Sequence, residues 1–235
     1  MRQSLGRCFG VASLLLGGVI GAGFATGQEV YQFFSYSGYQ GVAAILVVLV
    51  LTFLLCRATL DLANQNHYRD FSHCLCHLLG GMGGSVAYTI FTAFLFTVFG
   101  VMGSSFAALL EEQMEMPHLV GFLLYLVVMA VVMMGREERL TQIAKIFTPF
   151  MVVGTLVICL YVMCTRDVQT FAGLGFGKDN GGYLLSALCY FGYNGILAVS
   201  VLCTFGGFLK SKKEVRLTSL LCAGAFGLCL LVLYG

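Results

Sequence analysis

Two short stretches set glycine beside hydrogen-bonding side chains in the middle of long apolar runs. The first reads Gly17-Gly18-Val19-Ile20-Gly21-Ala22-Gly23-Phe24-Ala25-Thr26-Gly27-Gln28-Glu29, and the second reads Tyr190-Phe191-Gly192-Tyr193-Asn194-Gly195. Glycine lowers the cost of leaving helical dihedrals, while Thr26, Gln28, Tyr193 and Asn194 offer groups that hydrogen-bond freed backbone or a ligand. A helix broken at such a place would aim half-helix N–H groups at a carboxylate and unwound carbonyls at a small cation. A second reading stands beside it. Gly17 with Gly21, and Gly23 with Gly27, also match the small-xxx-small pattern of close helix packing, and thirty glycines in a helical membrane protein need no binding site to explain them.

Three charged groups near these stretches are candidates for coupling or gating. Glu29, with Gln28 beside it, is the only acid in the first run. It lies roughly 12 Å beyond Gly21 along a helix, toward the outer surface, where it is either an interfacial charge or a proton-sensitive outer gate. Lys145 precedes Thr148 and Pro149; it either snorkels to the inner surface or points inward and takes the place of a coupling cation. Arg57 and Asp61 are four apart and form a local helix pair. The tract His73-Cys74-Leu75-Cys76-His77 looks like a metal motif, but on a helix only His73 and His77 share a face. The segment from Asp70 to Leu79 reads instead as a short interfacial helix with Phe71, Cys74, Leu75 and Leu78 toward lipid.

The elements that hold these residues follow from composition. Hydrophobic residues make up 59% of the chain, charged residues 10%, and mean hydropathy is +0.90, far outside the usage of soluble domains. Seven apolar runs span residues 8–34, 41–62, 84–110, 119–135, 140–164, 182–209 and 217–235. The expected fold is therefore an all-α, polytopic membrane protein with one transmembrane domain over 1–235. A cleaved signal peptide is the competing reading of the first run, but apolar character resumes through Val30, Tyr31, Phe33 and Phe34. With the N-terminus in the cytoplasm, eleven Lys and Arg fall in inner segments and only Arg166 and Lys178 fall outside. Localisation is then the plasma membrane.

Runs one and six occupy corresponding places in a five-plus-five arrangement. Because five is odd, the second set starts from the opposite face, giving a first repeat over 8–164 and an incomplete inverted repeat over 182–235. Paired interruptions in inverted repeats point to a midplane site in secondary transporters. The ten cysteines lie mostly inside apolar runs and form no disulfide framework. No basic stripe tracks nucleic acid, no catalytic constellation is present, and an enzyme is not expected.

The run Gly18 to Glu29, followed by Gln32-Phe33-Phe34, resembles the first span of the YkvI-like bacterial membrane proteins, amino acid permeases of the amino acid-polyamine-organocation superfamily. The resemblance implies a LeuT-type inverted-repeat bundle with broken first and sixth helices. It places a small zwitterionic or anionic solute among Gly21, Ala22, Gly23, Phe24, Thr26, Gly27, Tyr190, Tyr193, Asn194 and Gly195, with no cofactor beyond a coupling Na+ or H+. Helices eight to ten of that pattern are missing, so the chain is expected to be truncated. The expected function is secondary transport of a small amino-acid-like solute. A seven-helix receptor or sensor, and an inactive remnant of a transporter, are the alternatives.

Overall fold

The computed structural model describes residues 2–21, 24, 27–34, 39–66, 68, 71–135, 137–165 and 182–234. Its helices are α1 (Arg2–Val19), α2 (Gln28–Phe34), α3 (Tyr39–Asn66), α4 (Phe71–Met114), α5 (His118–Met133), α6 (Glu137–Thr165), α7 (Gly182–Phe205) and α8 (Lys212–Tyr234), with a 3-10 turn over Gly206–Phe208. There is no strand among the described residues. Helix occupies most of the described residues of each apolar run. Five helices are long and apolar enough to cross a membrane: Gln40–Asn66, Phe71–Met114, Thr141–Ile158, Gly182–Phe208 and Lys212–Tyr234. The apolar helices Ser4–Val19 and His118–Met133 are shorter. Sixteen residues reach only about 24 Å, less than the hydrocarbon thickness.

The chain forms two compact units. One comprises Met1–Phe71 with Ala144–Gly235, and the other Ser72–Ile143. In the first, α3 packs most extensively against α7 and α8, and α1 lies on α8 and α7. Each helix buries a stripe at three- and four-residue spacing. On α1 this stripe is Cys8, Val11, Ala12, Leu15 and Val19; on α8 it includes Val215, Thr218, Cys222, Phe226 and Leu230. Lipid gives helices no hydrophobic reason to associate, so close contact and hydrogen bonds must hold them. Gly227 admits the Leu49 side chain, Gly41 admits Tyr234, and a Cβ on Gly17 would sit 2.8 Å from Thr148 Oγ1. That hydroxyl donates to the Ser13 carbonyl at 2.9 Å, tying α6 to α1.

One end of this unit is fastened by charge. Arg7 Nη2 donates to Glu214 Oε1 at 2.6 Å, the Lys210 N–H donates to Glu214 Oε2 at 2.9 Å, and the Glu214 N–H donates to Ser211 Oγ at 3.3 Å. Ser211 and Glu214 thus cap α8 in the spacing of a capping box. Asn64 Nδ2 donates to the Leu209 carbonyl, binding the end of α3 to the same segment. Arg57 and Asp61 form the expected pair on the exposed face of α3, at 3.8 Å.

In the second unit, α4 and α5 form a hairpin through residues 115–117. A Cβ on Gly103 would meet the Phe122 and Tyr125 rings at 2.7 and 2.8 Å, and one on Gly121 would meet the Ala107 Cα at 3.0 Å. Gly80 has φ +76 and divides α4 at a kink, a conformation that glycine adopts without the Cβ penalty. The interfacial-helix expectation needs correction here. Cys74 and Leu75 are buried rather than lipid-facing, while Leu78 is 56% exposed. The kink turns residues 71–79 back, so that the Cys76 backbone closes on Gly84, where a Cβ would meet the Cys76 nitrogen at 2.7 Å.

Gly17→Ala should lower stability by about 1–3 kcal/mol through overpacking on Thr148. Gly18 has nothing within 4 Å of a Cβ, so Gly18→Ala should be neutral or gain up to about 1 kcal/mol in helix propensity. Thermal unfolding of the two variants in detergent compares them directly. In the same assay Glu214→Gln should cost about 1–3 kcal/mol, whereas Asp61→Asn, at an exposed pair, should cost no more than about 0.5 kcal/mol.

Candidate functional site

The first apolar run does not form one continuous rod. Helical geometry of α1 ends at Val19; the Ile20 N–H reaches Leu16 O at 2.7 Å, and the Gly21 N–H turns back to Val19 O at 3.0 Å. Phe24 is again helical. The Gly27 N–H bonds Phe24 O at 3.0 Å, and α2 opens with the Tyr31 N–H on Gly27 O at 2.9 Å. Gly27 has φ +74, a left-handed conformation that costs an L-residue roughly 1–2 kcal/mol. Its side is open, since the nearest atom to a Cβ would be Leu233 Cδ2 at 3.8 Å. Backbone conformation, and not crowding, therefore calls for glycine at this position. Ala22, Gly23 and Thr26 lie outside the described residues, as does the side chain of Gln28.

The sixth run behaves differently, and the expectation of an unwound Gly192–Gly195 is corrected. α7 is continuous from Gly182 to Phe205. Gly192 has open space around it, and Gly195 lets Leu55 approach to 3.3 Å of a Cβ position. A helical glycine costs only about 1 kcal/mol relative to alanine, too little to break a segment whose neighbours all favour helix. At Gly195, the small-residue packing reading prevails. Asn194 completes the local bonding, with Nδ2 donating to the Tyr190 carbonyl at 3.0 Å.

Tyr190 links α7 to both sides of the break. Its ring lies 5.1 Å from Phe33 and 5.1 Å from Phe34 on α2, and stacks at 6.2 Å on Phe226 of α8. Phe226 in turn stacks at 5.8 Å on Phe24. Phe24 and Tyr190 are both fully buried, and these rings form a packed column.

Beside that column, buried polar atoms lack hydrogen-bond partners among the described residues: Tyr190 Oη, Asn194 Oδ1 and Glu29 Oε2. The Tyr190 hydroxyl and the Asn194 amide lie close enough to attract one another, yet neither oxygen makes a hydrogen bond with good geometry. Glu29 is within electrostatic range of Tyr190 and of Tyr193. Orphaned groups of this kind are costly without a ligand, since each forfeits about 1–3 kcal/mol of hydration. A cavity of about 10 Å³ adjoins the end of α1, with Leu16, Val19, Thr52, Asn194, Cys222 and Phe226 on its wall. That volume suits one water-sized guest.

Gly21, Phe24, Gly27, Glu29, Tyr190, Tyr193, Asn194 and Gly195 all belong to the first unit, as does Lys145. Lys145 is half-buried on α6, and no ion pair or hydrogen bond joins it to these residues among the described positions. Thr52 and Phe226 were not flagged by sequence, because a threonine or phenylalanine within an apolar run carries no spacing signal of its own.

Residues 73–172 match the family described as the sodium:alanine symporter family; the matched stretch lies outside α1, α2, α7 and α8. Over 216 residues the chain is 26% identical to the uncharacterized membrane protein YkvI of Bacillus subtilis (strain 168), covering 92% of this chain and 62% of that protein. It is 22% identical over 214 residues to the uncharacterized protein YyaD of the same organism, covering 91% and 61%. The chain therefore spans less than two thirds of the length of either relative. No solved structure matches it significantly. Taken with its apolar helices, these likenesses make the chain a helical membrane protein similar to YkvI, with a central segment similar to sodium:alanine symporters.

Proposed function

We propose that this chain forms the solute-binding part of a sodium-coupled secondary transporter for a small amino-acid-like solute. The observation that carries the reading is the glycine-dependent break in the first helix, set beside the orphaned polar atoms of Tyr190, Asn194 and Glu29. The likeness of residues 73–172 to sodium:alanine symporters supports both the ion and the solute class. In this reading the seven apolar runs all cross the membrane, the N-terminus is cytoplasmic, and the runs belong to a LeuT-type inverted repeat.

The physical mechanism follows from the chain ends exposed at the break. Carbonyls at the C-terminal end of α1 carry the negative end of the helix dipole and suit a hard cation that takes oxygen ligands. The small cavity at that end, with Thr52 and Asn194 on its wall, is the place for the ion. The solute lies at the break between α1 and α2, where its ammonium faces the Asn194 and Tyr190 oxygens. Glu29 lies toward the outer side and gates access. The aromatic column is closed in this structure, and alternating access requires Phe24 to separate from Phe226, and Phe33 and Phe34 from Tyr190. Only the break and α2 need move, because α7 is an unbroken rod.

Uptake of radiolabelled alanine into proteoliposomes with an inward sodium gradient tests the proposal. Asn194→Leu and Gly27→Ala should each reduce uptake about tenfold or more, the loss expected for one polar contact of about 1.5–3 kcal/mol. Both should insert normally by protease accessibility. Wild-type rates in both variants, or uptake unchanged when choline replaces sodium, would contradict it.

A further inference from the structure

A second polar site lies at the charged end of α3 and α8, and shares no lining residue with the cavity at the break. A cleft of about 340 Å³ is lined by Arg57, Asp61 and Gln65 of α3 and by Lys212, Lys213 and Arg216 of α8, with Val215 at its floor. Four cationic side chains face one carboxylate, and that carboxylate is already engaged by Arg57. Among the described residues Lys212, Lys213 and Arg216 have no ion-pair partner. All three are exposed. They form the first turn and a half of a 23-residue helix, whose positive dipole end adds to their field. Glu214, which would repel an anion, is buried and turned to Arg7 and the Lys210 N–H.

The walls leading from the cleft are apolar and open. On α3, Val50, Leu54, Arg57, Asp61 and Gln65 follow one ridge at three- and four-residue spacing, with Val50 58% and Leu54 54% exposed. On α8, Leu217 and Leu220 continue the rows that start at Lys213 and Arg216, and Leu220 is 50% exposed. A ligand that fits must be anionic at one end and hydrocarbon at the other. The Lys and Arg distribution puts this end of both helices at the cytoplasmic face, where the leaflet carries anionic lipid.

We propose that this cleft binds the phosphate of an anionic phospholipid, with the acyl chains laid against Val50, Leu54, Leu217 and Leu220. The charged walls hold the phosphate oxygens, and the volume falls within the range of small-molecule sites, about 300–1,000 Å³. This site is independent of the solute site and would stand if no solute were carried.

Native mass spectrometry of the full chain in mild detergent, titrated with phosphatidylglycerol, phosphatidylcholine or inorganic phosphate, tests it. Phosphatidylglycerol should be retained at one per chain and phosphatidylcholine should not. Each neutralised charge should weaken retention about fivefold, so K213Q is read singly and K212Q/K213Q/R216Q together. Lys145→Gln, on α6, should retain lipid as the wild type does. Equal retention of both lipids, retention unchanged in the triple variant, or inorganic phosphate displacing the lipid at equal concentration would overturn the proposal.

Discussion

A backbone inside hydrocarbon has no water to turn to, so each peptide group that leaves a helix must find another partner. That constraint organises the first unit of this protein. α1 stops at Val19, the next hydrogen bonds are short local turns at Gly21 and Gly27, and the orphaned oxygens of Tyr190, Asn194 and Glu29 lie close by. Among the described residues, Arg7 Nε, Gln40 Oε1 and Thr218 Oγ1 are also buried without a hydrogen-bond partner. The rest of the unit consists of tight, dry contacts.

The framework around the break is closely packed. α7 is continuous, α3 packs along both α7 and α8, and glycines on these helices admit their neighbours' leucines. The Arg7–Glu214 pair and the Ser211 cap pin the beginning of α1 to the beginning of α8. Among the described residues of the break, Phe24 meets this framework by stacking on Phe226. An aromatic stack of this kind contributes about 0.5–1.5 kcal/mol beyond its buried area.

Much of this was legible in the residues alone, for reasons that differ by element. The apolar runs were visible because length and hydropathy are sufficient to find membrane helices, and the Arg57–Asp61 pair because helical spacing dictates it. The first break was visible because glycines at 21 and 27 sit among polar groups in an otherwise apolar run. The same signal misled at 192–195, where the helix is continuous and Gly195 serves helix contact: one sequence does not distinguish a glycine needed for φ from one needed for space. Gly27 is the first kind, at φ +74, and Gly195 the second, with Leu55 against it. Phe226 and Thr52 were hidden because their role arises only when α8 and α3 pack, and the inward turn of Cys74 and Leu75 was hidden behind the dihedral of Gly80.

The central claim is that the break and the orphaned polar atoms hold a small solute together with sodium. Thermal stabilisation of the purified chain, measured over a panel of amino acids in sodium and in choline, tests it most directly. Stabilisation by at least one small amino acid is predicted in sodium only, about 2.7 kcal/mol at a hundred times its dissociation constant, and lost in Asn194→Leu. An unfolding curve that no amino acid moves, in either salt, would contradict the account.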